Sequence, residues 1–175
     1  MKHSIAVLLL GTALTGNLLA DEFAQSERII GLEVGASTIQ ADTGGYLGES
    51  DHDGSSAEFG FRLGAQLDTW RVMLILDYFD SSDDDQNYEK GLVSVDYFFP
   101  REEEGVKPYI GLNTGYLNYE STDIDESGFL YGGQLGATYR VKENIDLDVM
   151  YRYSLTEADQ TDHIQSLVFG LNYIY

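Results

Sequence analysis

The chain has 175 residues, with 30 acidic against 10 basic side chains and a formal net charge of −20. That excess of negative charge repels phosphates and excludes a nucleic-acid partner, while the lack of cysteine excludes disulfides and thiolate metal sites. A hydrophobic content of 43% and 19 glycines argue against a disordered acidic chain.

At the amino terminus, Lys2 and His3 precede the apolar run Ile5 to Leu10, and small and polar residues lead on to Leu18-Leu19-Ala20. This basic, apolar, small-residue order is that of a secretory signal and is too short to span a membrane. Cleavage is expected after Ala20, leaving 21–175 as a single domain. No later apolar stretch approaches the ~20 residues that a spanning helix needs.

Eight alternating segments then follow, at about 28–38, 57–67, 70–79, 89–99, 108–119, 129–141, 145–155 and 164–175. In each, one face is bulky and apolar. The second carries Phe59, Phe61, Leu63, Ala65 and Leu67, opposite Glu58, Gly60, Arg62, Gly64 and Gln66. The sixth carries Phe129, Tyr131, Leu135, Ala137 and Tyr139. The seventh carries Ile145, Leu147, Val149, Tyr151 and Tyr153, opposite Asp146, Asp148, Arg152 and Ser154. In the eighth, Leu167, Phe169, Leu171, Tyr173 and Tyr175 share a face, and the chain ends on an aromatic residue.

Alternation does not say which face points inward; volume does. Eight apolar faces of this bulk exceed the interior of a small barrel, whereas the Gly-rich polar set fits it. The apolar set therefore faces lipid, and closure removes the exposed edge that the last strand would otherwise present. Connections alternate in length as well. Asp68-Thr69, Pro100 to Lys107 and Lys142-Glu143-Asn144 join strands at one end, and the polar stretches 39–56, 80–88, 120–128 and 156–163 join them at the other. Short periplasmic turns and longer surface loops have this arrangement. Aromatic residues are expected in two girdles. Trp70, Phe99, Tyr109, Tyr139, Tyr173 and Tyr175 lie towards the periplasmic ends of their strands, and Phe59, Tyr78, Tyr116, Phe129 and Tyr153 towards the outer ends.

With this pattern and its terminal aromatic strand, the chain resembles the small eight-stranded bacterial outer-membrane barrels, the class of the OmpA transmembrane domain, OmpX and the Ail-type surface proteins. The resemblance spans essentially the whole chain after the signal. It implies an all-β, eight-stranded antiparallel up-and-down transmembrane barrel, monomeric, in the outer membrane of a Gram-negative bacterium. Its implied partners are outer-membrane lipid, lipopolysaccharide, an extracellular ligand or surface, and the barrel-assembly machinery, which would engage the C-terminal strand. The chain stops at the eighth strand, so the peptidoglycan-binding domain of OmpA-type proteins, and wall anchoring with it, is not expected.

Two groups of residues are candidates for function. Residues 39–57, 80–89, 120–128 and 156–163 hold sixteen Asp and Glu and no Lys or Arg. Asp51, Asp53, Asp80, Asp83, Asp84, Asp85, Asp123 and Asp125 form its densest clusters. Carboxylates are hard ligands suited to weak Ca²⁺ or Mg²⁺ binding, although no stretch has EF-hand spacing; otherwise they simply keep the loops solvated. The second group, Glu33, Glu58, Arg62, Lys90, Asp96, Arg140, Asp146, Asp148 and Arg152, is expected inside the barrel as a paired charge network.

An enzyme is not expected. Lipid A-modifying barrels use a His with a Ser partner, and such a base must reach its nucleophile. His163 and Ser166 lie three apart and so on opposite faces of a strand, while His52 sits among loop acids. Gly132-Gly133-Gln134-Leu135-Gly136 falls mid-strand with no helix after it, which removes a phosphate-loop reading. The favoured expectation is a structural or surface-interaction role carried by the acidic loops. The alternatives are a small cation-preferring channel and a soluble periplasmic ligand-binding barrel.

Overall fold

The computed structural model describes residues 26–41, 52–81, 86–100, 105–120, 125–157 and 161–175. The expected signal segment lies outside them. Eight strands, β1 (Glu27–Ala41), β2 (His52–Gln66), β3 (Trp70–Ser81), β4 (Gln86–Phe98), β5 (Val106–Glu120), β6 (Asp125–Lys142), β7 (Ile145–Thr156) and β8 (Thr161–Ile174), form a closed barrel. Each strand pairs antiparallel with its neighbours, and β1 pairs with β8. The seam runs to the end of the chain, since Arg28 and Tyr175 exchange two backbone hydrogen bonds of 3.0 Å. Closure thereby pairs the edge that the last strand would otherwise present.

The strands are tilted, and the register gives the amount. Stepping sideways from Leu117 of β5 leads through Lys90, Asp77, Gly60, Glu33, Gly170, Asp148 and Thr138 to Lys107. That residue is again on β5, ten positions nearer the strand's start. A closed sheet needs such a stagger, and it winds a sideways row of residues down the interior as a spiral. Side chains distant in sequence are thereby brought into one central layer.

The strands reach beyond the segments that alternation marks out. β2 begins at His52 rather than near 57, and β6 begins at Asp125 rather than near 129. Much of the acidic polar sequence is thus ladder, as in the pairing of Ser37 with Ser56 and Asn118 with Ser127. Backbone pairing does not require apolar side chains, so it continues where the lipid-facing pattern has stopped. His52, read as a loop residue, is the first residue of β2. At the opposite end the turns are closed by backbone bonds, from Leu67 N–H to Trp70 O at 2.7 Å and from Phe99 N–H to Pro108 O at 3.0 Å. Gly105, at φ +142°, stands just before β5 in a conformation that side chains disfavour.

Outward-facing apolar residues cover the barrel wall. Leu112, Phe59, Leu32 and Leu135 are the most exposed within the strands, from 61 to 74%. In water such a surface would aggregate; in lipid it is the required coat. The interior is more mixed than a purely polar filling. Ile75, Leu92, Leu117, Leu130, Met150 and Val168 are buried there beside the charged groups. Of the expected girdle aromatics, Tyr109 is instead buried in the interior at 2% exposure. Position 109 falls on the inward parity of β5 with Gly111 and Asn113, and inward parity overrides an aromatic residue's preference for the interface.

Candidate functional site in the barrel lumen

The four cations buried among the described residues, Arg62, Arg71, Lys90 and Arg152, come from β2, β3, β4 and β7 and are each at most 3% exposed. The three arginines reach across the interior, and Lys90 reaches Glu58 two strands away. Arg62 Nη1 donates to Glu33 Oε2 at 3.1 Å, and its Nη2 donates to Asp148 Oδ2 at 2.8 Å and to Asn172 Oδ1 at 2.8 Å. One guanidinium thereby ties β2 to β1, β7 and β8. Gly170 makes room for it: a methyl group there would stand 2.6 Å from Arg62 Cζ and 2.7 Å from Nη1.

Arg71 carries the lower part of the network. Its Nη1 donates to Asp148 Oδ2 at 2.7 Å and its Nε to Asp96 Oδ2 at 2.8 Å. Its guanidinium carbon lies 4.5 Å from the centre of the Tyr109 ring and 5.2 Å from that of Phe98, within cation–π range. Tyr109 Oη donates to Asp148 Oδ1 at 2.8 Å, and Gln134 Nε2 donates to Asp96 Oδ1 at 2.6 Å. Both oxygens of each carboxylate are therefore satisfied, as burial demands.

The upper part surrounds three carboxylates. Glu33, Glu58 and Asp77 each offer an oxygen within 4.8 Å of the others. Lys90 Nζ lies 2.9 Å from Glu58 Oε2 and 3.1 Å from Asp77 Oδ2. Arg152 Nη1 lies 3.0 Å from Glu33 Oε1 and 3.2 Å from Asp77 Oδ2. Its Nε donates to Gln134 Oε1 at 3.2 Å, linking the upper and lower groups through one amide.

Seven of the nine residues assigned to the interior from the sequence, namely Glu33, Glu58, Arg62, Lys90, Asp96, Asp148 and Arg152, meet in this network. The other two lie at the rim formed by the short turns. There Arg140 Nε donates to buried Asp146 Oδ1 at 2.9 Å and Nη2 to Glu27 Oε2 at 3.0 Å, with the arginine side chain 38% exposed. Sequence reasoning missed Arg71, Asp77 and Tyr109. The inward parity of β3 runs Arg71, Met73, Ile75, Asp77, so its middle is apolar on both faces and hides the alternation. Parity counted from Arg71 was the signal available.

Of the acidic cluster, Asp51, Asp83, Asp84, Asp85 and Asp123 lie outside the described residues, and so do the side chains of Asp53, Asp80 and Asp125. His163 and Ser166 take opposite faces of β8. The His163 ring stacks on Tyr153 with its Nε2 2.9 Å from Gln165 Nε2, and Ser166 Oγ lies inside, 2.7 Å from Ser37 Oγ.

An inward charged network within an outward apolar coat is the arrangement of a membrane barrel. The family model for the outer membrane protein beta-barrel domain matches residues 6–174. The chain belongs to that family. Membership implies the bacterial outer membrane as its location. No curated protein matches the sequence. Among solved structures, the fold is similar to Neisserial surface protein A, with a TM-score of 0.65 and 18% identity over 83% of this chain and 97% of that one. It is also similar to OprH of P. aeruginosa, with a TM-score of 0.60 and 18% identity over 85% and 99% of the two chains. Ail, the attachment invasion locus protein of Yersinia pestis, solved with the heparin analogue sucrose octasulfate, gives 0.54 and 17% identity over 86% and 99%. At these identities the likeness is one of fold.

Proposed function

We propose that this outer-membrane barrel is non-conducting and non-catalytic, and has a structural or surface-interaction role exercised at its acidic end. The observation that carries this reading is the cross-lumen network itself. Three guanidinium groups and one ammonium, held by carboxylates on facing strands, occupy the space through which a solute would have to pass. Opening a path requires separating buried ion pairs, each costing about 3–5 kcal/mol when one partner is lost. The outward apolar coat also speaks against a soluble ligand-binding barrel, which would turn that face inward.

The partner at the acidic end is cationic, or is bridged by cations. The structure of Ail was solved with a polyanion, but the long polar stretches here carry sixteen carboxylates and no Lys or Arg. Like charge makes a polyanion unsuitable. Weak Ca²⁺ or Mg²⁺ binding, bridging these carboxylates to lipopolysaccharide phosphates, suits their chemistry. Insertion as a monomer and delivery through the C-terminal strand complete the reading.

Single-channel recording of the refolded barrel in a planar bilayer tests it. A silent membrane, with insertion verified independently, is the expected result. Reproducible cation-selective steps would overturn it in favour of a small cation channel.

A further inference from the structure

The interior charges do not balance. Six carboxylates and four cations are buried among the described residues. Asp146 is answered at the rim by Arg140, so Glu33, Glu58, Asp77, Asp96 and Asp148 face Arg62, Arg71, Lys90 and Arg152. One negative charge is left over in a layer nearly sealed from water, where an uncompensated charge is costly.

The hydrogen bonds show where the surplus falls. Asp96 and Asp148 have a donor on each oxygen, from Arg71, Gln134, Arg62 and Tyr109. Glu33 receives Arg152 on Oε1 and Arg62 on Oε2. Asp77 differs. Its Oδ2 takes both Lys90 and Arg152, while its Oδ1 is buried with no hydrogen-bond partner. That oxygen lies in the space over Gly60, where an added methyl group would strike both it and, at 2.7 Å, the Glu33 side chain at Cγ. An oxygen to which nothing donates, on a carboxylate grouped with two others, is placed to carry a hydrogen of its own.

We propose that the Glu33–Glu58–Asp77 trio is a proton-binding site, holding one proton at neutral pH on Asp77 Oδ1. The groups facing it are Glu33 on β1, Glu58 and Arg62 on β2, Lys90 on β4 and Arg152 on β7, with Gln134 of β6 joining Arg152 to the lower group. With the proton the network is electroneutral: four carboxylates, four cations and one carboxylic acid. A metal ion is the poorer occupant, since the Lys90 ammonium already lies between Glu58 and Asp77. The barrel therefore takes up one proton as it folds.

Infrared spectroscopy of the full-length barrel, folded in a detergent without ester groups, tests this directly. A protonated carboxyl has a carbonyl stretch that carboxylates lack, and surface acids are ionised at neutral pH. One such band is expected in the wild type. It should shift when aspartate is labelled with ¹³C, and disappear in Asp77→Asn, whose neutral amide removes the surplus charge. Absence of the band from the wild type overturns the proposal, as does its persistence in Asp77→Asn. Should that variant not fold, the labelled wild type decides alone: a band that ignores the aspartate label also overturns the assignment.

Discussion

Tyr109 Oη donates a 2.8 Å hydrogen bond to Asp148 Oδ1, from β5 to a strand on the far side of β6. The same ring lies under the Arg71 guanidinium, which holds the other oxygen of Asp148 at 2.7 Å. One phenol thus supports both partners of a buried ion pair. Tyr109→Phe keeps the ring and removes the donor, leaving Asp148 Oδ1 buried and unsatisfied. The expected loss of stability is about 1–3 kcal/mol, read from urea unfolding of the barrel in lipid vesicles, with the fold retained.

Arg62 should matter more, because it serves Glu33, Asp148 and Asn172 at once. Arg62→Met removes one donor each from Glu33 and Asp148, which keep Arg152, Arg71 and Tyr109, but it takes a cation from an already acidic interior and is expected to cost about 3–5 kcal/mol. The double variant with Asp148→Asn should recover part of this, since it removes one of the negative charges that Arg62 had balanced. Equal unfolding midpoints for Arg62→Met and the wild type would contradict the bridging geometry.

Two interior and exterior glycines make a paired comparison. A methyl at Gly170 meets the Arg62 guanidinium within 2.7 Å, whereas at Gly133 the nearest neighbour is the Gly111 carbonyl oxygen at 3.4 Å. Gly170→Ala should therefore destabilise by about 1–3 kcal/mol through overpacking. Gly133→Ala should change stability by less than about 1 kcal/mol. Comparable losses in the two would indicate that the guanidinium moves freely.

The lipid-facing assignment has its own test. Val149 points outward on β7 between inward Asp148 and Met150. Val149→Arg places a charge in the apolar belt and should cost about 2–4 kcal/mol near the midplane, with slower insertion into vesicles. Wild-type folding efficiency would reverse the facing.

Neutralising Asp83, Asp84 and Asp85 together should leave folding intact and reduce any stabilisation of the barrel by calcium. An unchanged calcium effect on the thermal midpoint would remove this stretch from divalent binding.

Strand number, closure and facing were legible in the chain. A period of two with bulky residues on one side leaves few alternatives once interior volume is considered, and the face assignments in β7 and β8 follow from it residue by residue. Strand ends were not legible at the acidic side, because ladder hydrogen bonds extend through Ser, Thr and Asn without an apolar pattern to mark them. Neither was the membership of the network. Parity told that Arg62 and Asp148 face inward but not that they meet, because contact across a lumen depends on the stagger of the closed sheet. That stagger brings Lys90 to Glu58 and sets Arg71 beneath Tyr109. Local sequence thus determined which way each side chain points. Only closure of the barrel, with its spiral register, decided which charges face one another and that one carboxylate is left over.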